Sequence, residues 1–168
     1  AACGKTAESL RFLGGSRYDV AALYQIMKQD ARHVKLTMYF GESDDEVPYE
    51  LDIDVSSLTV MKNKYFGKGL MITPLAKLDN GLLDVSLLPN VGRKHTLGLF
   101  KLVPEGHHIL NTDPVKGPFY WRVRKITIEP QEGCHDRIGV DGEEGPDTPL
   151  SIEVLPRAIP IIYFVPAL

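Results

Sequence analysis

The hydrophobic period of this chain changes from helical to strand-like near residue 33, and that change restricts it to a helical lead-in followed by a mainly β domain. Before the change, Val20, Leu23, Tyr24 and Met27 recur at i, i+3, i+4 and i+7, the spacing of one buried helix stripe. Ser16 with Asp19 forms a capping box that starts this helix, because each side chain can satisfy a free backbone N–H there. A shorter helix is expected over 7–13, stopped by Gly14-Gly15. After the change, Val34, Leu36 and Met38 alternate with Lys35, Thr37 and Tyr39. A turn at 41–45 follows, and Leu51, Ile53 and Val55 alternate again, so the two runs predict a hairpin.

Further strands are expected over 58–63, 70–73, 82–88, 119–128, 138–140, 150–155 and 159–165, and a helix over 93–103 ended by Pro104. Many short strands and few helices predict one mainly β domain over 1–168. Its expected form is an antiparallel β-sandwich with an N-terminal helical segment and one or two additional helices.

Charge narrows the function classes. A net charge of −3 argues against a general nucleic-acid binder, which carries a basic face. No run approaches the roughly 20 apolar residues of a spanning helix. No basic segment followed by an apolar run opens the chain, and Cys3 and Cys134 form no CxxC. A reduced, cytoplasmic setting is expected, with peripheral membrane contact left open.

Four segments share an order and spacing. They are Arg11-Phe12-Leu13-Gly14-Gly15-Ser16-Arg17-Tyr18; Asn63-Lys64-Tyr65-Phe66-Gly67-Lys68-Gly69 running on to Asp79-Asn80-Gly81-Leu82-Leu83-Asp84-Val85; the strand at 121–130; and Val140-Asp141-Gly142-Glu143 with the stretch at 149–156. Together they resemble the C-terminal domain of the diacylglycerol kinase, sphingosine kinase and bacterial (YegS-like) lipid kinase superfamily. The resemblance implies a lipid-binding β-sandwich domain that forms one wall of an ATP–Mg²⁺ site. It implies a nucleotide-binding domain as partner, whose Gly-Gly-Asp-Gly loop does not occur in these residues, so the isolated chain is expected to be inactive.

Phosphoryl transfer needs cations, carboxylates and backbone N–H groups that hold phosphates and an acceptor hydroxyl in line. Arg17 at a capped helix start is suited to phosphate, and the Gly14-Gly15 bend can return Arg11 to the same place. The resemblance implies that Arg11 and Arg17 reach the nucleotide phosphates. Asp141 and Glu143 flank a glycine in a tight loop that can aim two carboxylates at one point, as hard Mg²⁺ prefers. The resemblance assigns the aspartate either to the metal–nucleotide network or to the base that takes the acceptor's proton; Asp-Gly is equally a common turn pair. The Asp79-Asn80-Gly81 run matches a loop that holds a structural divalent ion in bacterial relatives. With Asn80 in place of a second aspartate, weaker metal binding at Asp79 is expected, and an ordinary Asx turn explains the run as well.

For the lipid, Leu97, Leu99, Phe100, Leu102 and Trp121 are candidates to line an apolar slot, or equally to fill the core. Sphingosine-selective relatives carry an aspartate just before the first arginine, whereas residues 1–10 contain none. That favours a neutral, diacylglycerol-like acceptor. Arg32, Lys35, Arg122 and Arg124 are a candidate basic patch for anionic lipid. No histidine has metal-ligand spacing, and His107-His108 is expected at the surface. The acidic group at 42–46 reads as a solvated hairpin tip. The alternatives are a non-catalytic lipid-binding or regulatory module, which Asn80 suits, and a nicotinamide-nucleotide kinase relative. Association as a homodimer stays open.

Overall fold

The computed structural model describes residues 31–41, 47–67, 69–110, 113–131, 137–141 and 143–160, together with Tyr24 and Lys28. Among the described residues eight strands run in the order β1 Arg32–Tyr39, β2 Tyr49–Met61, β3 Leu83–Pro89, β4 Phe119–Val123, β5 Lys125–Pro130, β6 Arg137–Val140, β7 Glu143–Asp147 and β8 Leu150–Glu153. Helix α1, Arg93–Phe100, and a 3₁₀ turn, His107–Leu110, lie between β3 and β4. Six strands form one antiparallel sheet ordered β4-β3-β2-β1-β5-β8, and β6 and β7 form a separate hairpin. The fold is mainly β, as the period change predicts.

The sheet order requires a closed, sandwich-like shape. β4 and β5 are separated by one residue, Arg124, yet three strands stand between them in the sheet. In a flat sheet they would lie about 19 Å apart at the usual strand spacing. Two peptide units reach only about 7 Å. The sheet therefore curls until its two sides face each other, and the expected single strand over 119–128 is corrected to two strands with a corner. Arg124 holds that corner: its N–H donates to Tyr39 O at 2.8 Å and its carbonyl accepts from Val154 N at 3.1 Å. Its guanidinium donates to Gly41 O at 2.9 Å and to Glu153 Oε1 at 2.6 Å.

A second corner lies in β2. The strand pairs with β1 through residues up to Val55 and with β3 beyond it, and the register shifts between Val55 and Ser57. One extra residue reverses the alternation, so Leu51, Ile53 and Val55 face inward before the bulge and Leu58 and Val60 after it. The separate strands expected over 49–55 and 58–63 are thus one bent strand. The interior is filled by Leu36 and Met38 from β1, Val85 and Leu87 from β3, Val123 from β4 and Ile126 from β5, all with no exposed surface. Burying each such side chain contributes about 1.5–3 kcal/mol.

Other expectations are corrected at the edges. The stretch at 70–73 makes an isolated bridge, Phe66 with Leu70, and no strand. Helix α1 stops at Phe100, because Leu102 N and Val103 N bond three residues back, to Leu99 O and Phe100 O, and the coil tightens. Ile159 and Pro160 are not strand, and 161–165 lie outside the described residues. Tyr24 is helical but 56% exposed, so it leaves the buried stripe assigned to it. The capping box and the rest of the helical lead-in lie outside the described residues.

Candidate functional site

The carboxylates of the Asp-Gly-Glu segment stand on the β6–β7 hairpin. Val140 pairs with Glu143, so Asp141 stands in the tight connection between β6 and β7. Such turns need positive φ, and Asp141 adopts φ 49°, a left-handed conformation that aspartate tolerates better than most residues. Asp141 and Glu143 are exposed, and among the described residues neither side chain makes a hydrogen bond or ion pair. The hairpin itself is closely packed: a Cβ on Gly145 would lie 2.7 Å from Val140 Cγ2. The result is a hairpin end that offers a carboxylate to solvent.

The second cluster lies over the β3–β4 half of the sheet, where β3 is buried on both faces. Asp84 is fully buried on the side opposite the apolar core. Its Oδ1 accepts the Tyr120 hydroxyl at 2.6 Å, while Oδ2 has no hydrogen-bond partner. Burial, reinforced by Asp84, pushes the Tyr120 hydroxyl pKa well up. Beside this pair, Lys62 Nζ donates to Asn80 Oδ1 at 2.5 Å, Leu82 O at 2.8 Å and Lys77 O at 2.9 Å. Asn80 Oδ1 also accepts Leu82 N at 3.1 Å, which makes the expected Asx turn. Partial burial lowers the Lys62 pKa, and Asp84 and Asp79 oppose that shift.

These contacts decide whether the Asp79 loop fits a divalent ion. Three oxygens converge there, and the ammonium of Lys62 already fills the point where they meet. Asp79 is exposed and contributes none of them. Closed by Lys62 in this way, the loop has no vacant point for a divalent ion, and Asp79 takes no part in the contacts that close it. Among the described residues no group of three or more His, Cys, Asp or Glu side chains can hold a metal ion. Among the described residues Asp141 and Glu143 therefore offer two ligands at most.

Arg11 and Arg17 lie outside the described residues. Of the lipid-slot candidates, Leu99 is buried, Phe100 and Leu102 are half-buried and Leu97 is exposed. Trp121 stacks on Phe119 with ring centroids 5.7 Å apart and packs on the core. The basic patch is not a free array: Lys35 pairs with Glu50 at 3.2 Å and Arg124 with Glu153. His108 corrects the surface assignment. It is 4% exposed in the 3₁₀ turn and its Nε2 lies 3.0 Å from Ile72 O, which tethers the glycine-rich segment. His33 was also missed: it bridges Asp52 and Asp54 of β2, each at 2.8 Å, on the outer face of the sheet. The alternation of Asp52 and Asp54 opposite His33 in the hairpin register was the available signal. An open depression of about 580 Å³ adjoins that triad, lined also by Asn90, Val115 and Lys116, and its charged rim is unlike a lipid slot.

Comparison with known proteins agrees with this architecture. Residues 1–163 match the family model described as the YegS C-terminal NAD kinase beta sandwich-like domain. A protein of Shewanella frigidimarina (strain NCIMB 400), described as a probable lipid kinase, YegS-like, is 26% identical over 152 residues. That match covers 90% of this chain and 44% of the relative. A crystal structure of a diacylglycerol kinase from Bacillus anthracis strain Sterne superposes with a TM-score of 0.61 at 21% identity, over 89% of this chain and 46% of that one. A second, for a candidate diacylglycerol kinase of the same organism, gives 0.60 at 20% identity over 83% and 41%. The chain spans less than half the length of these relatives.

Proposed function

The chain belongs to the YegS C-terminal NAD kinase beta sandwich-like domain family, and from that premise we propose that it is the lipid-facing domain of an ATP-dependent lipid kinase. The reaction proposed is transfer of the terminal phosphoryl group of ATP to a lipid hydroxyl. The observation that carries this reading is the family match across residues 1–163, which includes the Asp141 hairpin. A lipid kinase and diacylglycerol kinases among the similar proteins support it.

In this reading Asp141 takes the proton of the acceptor hydroxyl as that oxygen attacks the terminal phosphorus. Its exposure, with no side-chain partner among the described residues, suits a base that must meet an incoming hydroxyl. Glu143, Arg11 and Arg17 are proposed to face the nucleotide. Mg²⁺ that accompanies the nucleotide supplies charge neutralisation on the phosphates. The partner is a nucleotide-binding domain, and the setting proposed is cytoplasmic with peripheral contact to membrane. A neutral diacylglycerol-like acceptor is favoured over sphingosine, because residues 1–10 carry no aspartate to meet an ammonium head group.

A phosphotransfer assay on the full-length protein, with labelled ATP and mixed micelles of diacylglycerol or sphingosine, tests both parts. Label on diacylglycerol well above sphingosine supports the reading. Label on sphingosine alone ends the acceptor preference, and label on neither lipid, in a folded protein that binds ATP, ends the kinase assignment.

A further inference from the structure

We propose that Lys62 is a tethered cation that holds the 77–82 loop closed in place of a divalent metal ion, so that this loop folds without metal. An ammonium has three protons to donate and no acceptor. Lys62 has three oxygen partners between 2.5 and 2.9 Å, so its donor capacity is met in full. Two of them are backbone carbonyls, of Lys77 and Leu82, and the third is the Asn80 side chain. Such a set of oxygens, converging from a tight turn, is the kind of cage a hard cation occupies. Here the cation is covalently part of the chain, at the end of β2.

The charges fit a monovalent guest better than a divalent one. All three oxygens in contact with Nζ are neutral, and affinity for Mg²⁺ or Ca²⁺ rises with the number of charged ligands. Asp84 and Asp79 lie close enough to act on Lys62 through space, so the ammonium has counter-charges without needing them as direct partners. Asn80 Nδ2 is buried with no hydrogen-bond partner, which shows that the side chain is held by what its oxygen does. To admit a metal ion, Lys62 would have to leave the cage, and its charge would still repel the newcomer. The arrangement also ties β2 to the entry of β3, since Lys62 follows Met61 and Leu82 precedes Leu83. This inference holds whether or not the full-length protein transfers phosphate to lipid.

The test uses the full-length protein without nucleotide. Thermal melts in EDTA and in millimolar Mg²⁺ or Ca²⁺ should agree within about 1 °C, and Lys62→Met should lower Tm by about 5–10 °C in every buffer. In the wild-type protein, a slowly exchanging lysine ¹H–¹⁵N resonance with couplings to the Lys77 and Leu82 carbonyls is expected, and this readout needs no variant to fold. A divalent-dependent rise in Tm that Asn80→Ala abolishes would overturn the proposal. So would a Lys62→Met melt equal to wild type, or a Lys62 ammonium averaged with solvent.

Discussion

The Tyr120 hydroxyl donates a 2.6 Å hydrogen bond to Asp84 Oδ1 on the neighbouring strand, and among the described residues this is the sole side-chain hydrogen bond to a carboxylate with no exposed surface. Removing one member of a buried pair costs more than the pair is worth, since the survivor is left desolvated and unmatched. Tyr120→Phe should therefore destabilise the protein by about 2–3 kcal/mol. Urea melts should show the Tyr120→Phe, Asp84→Asn double variant recovering part of that loss. A single variant as stable as wild type would mean that water or Lys62 already satisfies Asp84.

Asp141 is exposed and without partners among the described residues, so its chemistry separates cleanly from its structural role. Asparagine also accepts the positive φ of this turn. If the full-length protein transfers phosphate as proposed, Asp141→Asn should reduce its kcat by about 100-fold or more, the usual contribution of a general base. Its Tm should match wild type. Equal kcat would remove Asp141 from the chemistry.

His33 sits between two carboxylates, and the hydrogen bond it donates to Asp54, aided by Asp52, raises its pKa above the ordinary histidine value. A raised folded-state pKa stabilises the fold fully below the unfolded value. The gain fades as pH rises through the folded value, so the triad favours the fold in mildly acidic solution. An NMR titration of the His33 ring should place its midpoint above 6.5, the reference from which it is raised. Asp54→Asn should bring it back toward that reference. An unmoved midpoint in the variant would assign the shift to Asp52 instead.

Gly106 combines φ 71° with close neighbours: an added Cβ would stand 2.8 Å from Pro74 Cβ and 2.9 Å from Met71 Sδ. Left-handed backbone and overpacking both penalise a side chain there. Gly106→Ala should cost about 2–4 kcal/mol and loosen the seat of His108 on Ile72 O. Hydrogen exchange at 71–76 reads the second effect. An unchanged exchange pattern would show that the 71–74 segment is held from elsewhere.

Local rules read in the sequence account for the first layer of this protein. Alternation of Val34, Leu36 and Met38 against Lys35, Thr37 and Tyr39 identified β1 and its buried face correctly. The hairpin with β2 followed from the intervening turn, and the Asp-Gly pair marked the turn that carries Asp141. The same rules misled wherever a strand turns a corner. The bulge at Ser56 breaks the period of two, so β2 read as two strands. At Arg124 nothing breaks the run of β-forming residues, so two strands read as one.

The sequence alone determined that this chain is mainly β, belongs with lipid kinase domains, and presents Asp141 in a tight turn, because propensity, alternation and turn chemistry act over a few residues. Tertiary structure decided that the sheet closes on itself at Arg124, that His108 is buried against Ile72, and that Lys62 fills the centre of the Asp79-Asn80-Gly81 loop. Those outcomes depend on groups 15 to 36 residues apart, or more, meeting in space. Contacts over such separations are fixed by the packing of the whole domain, and no local pattern encodes them.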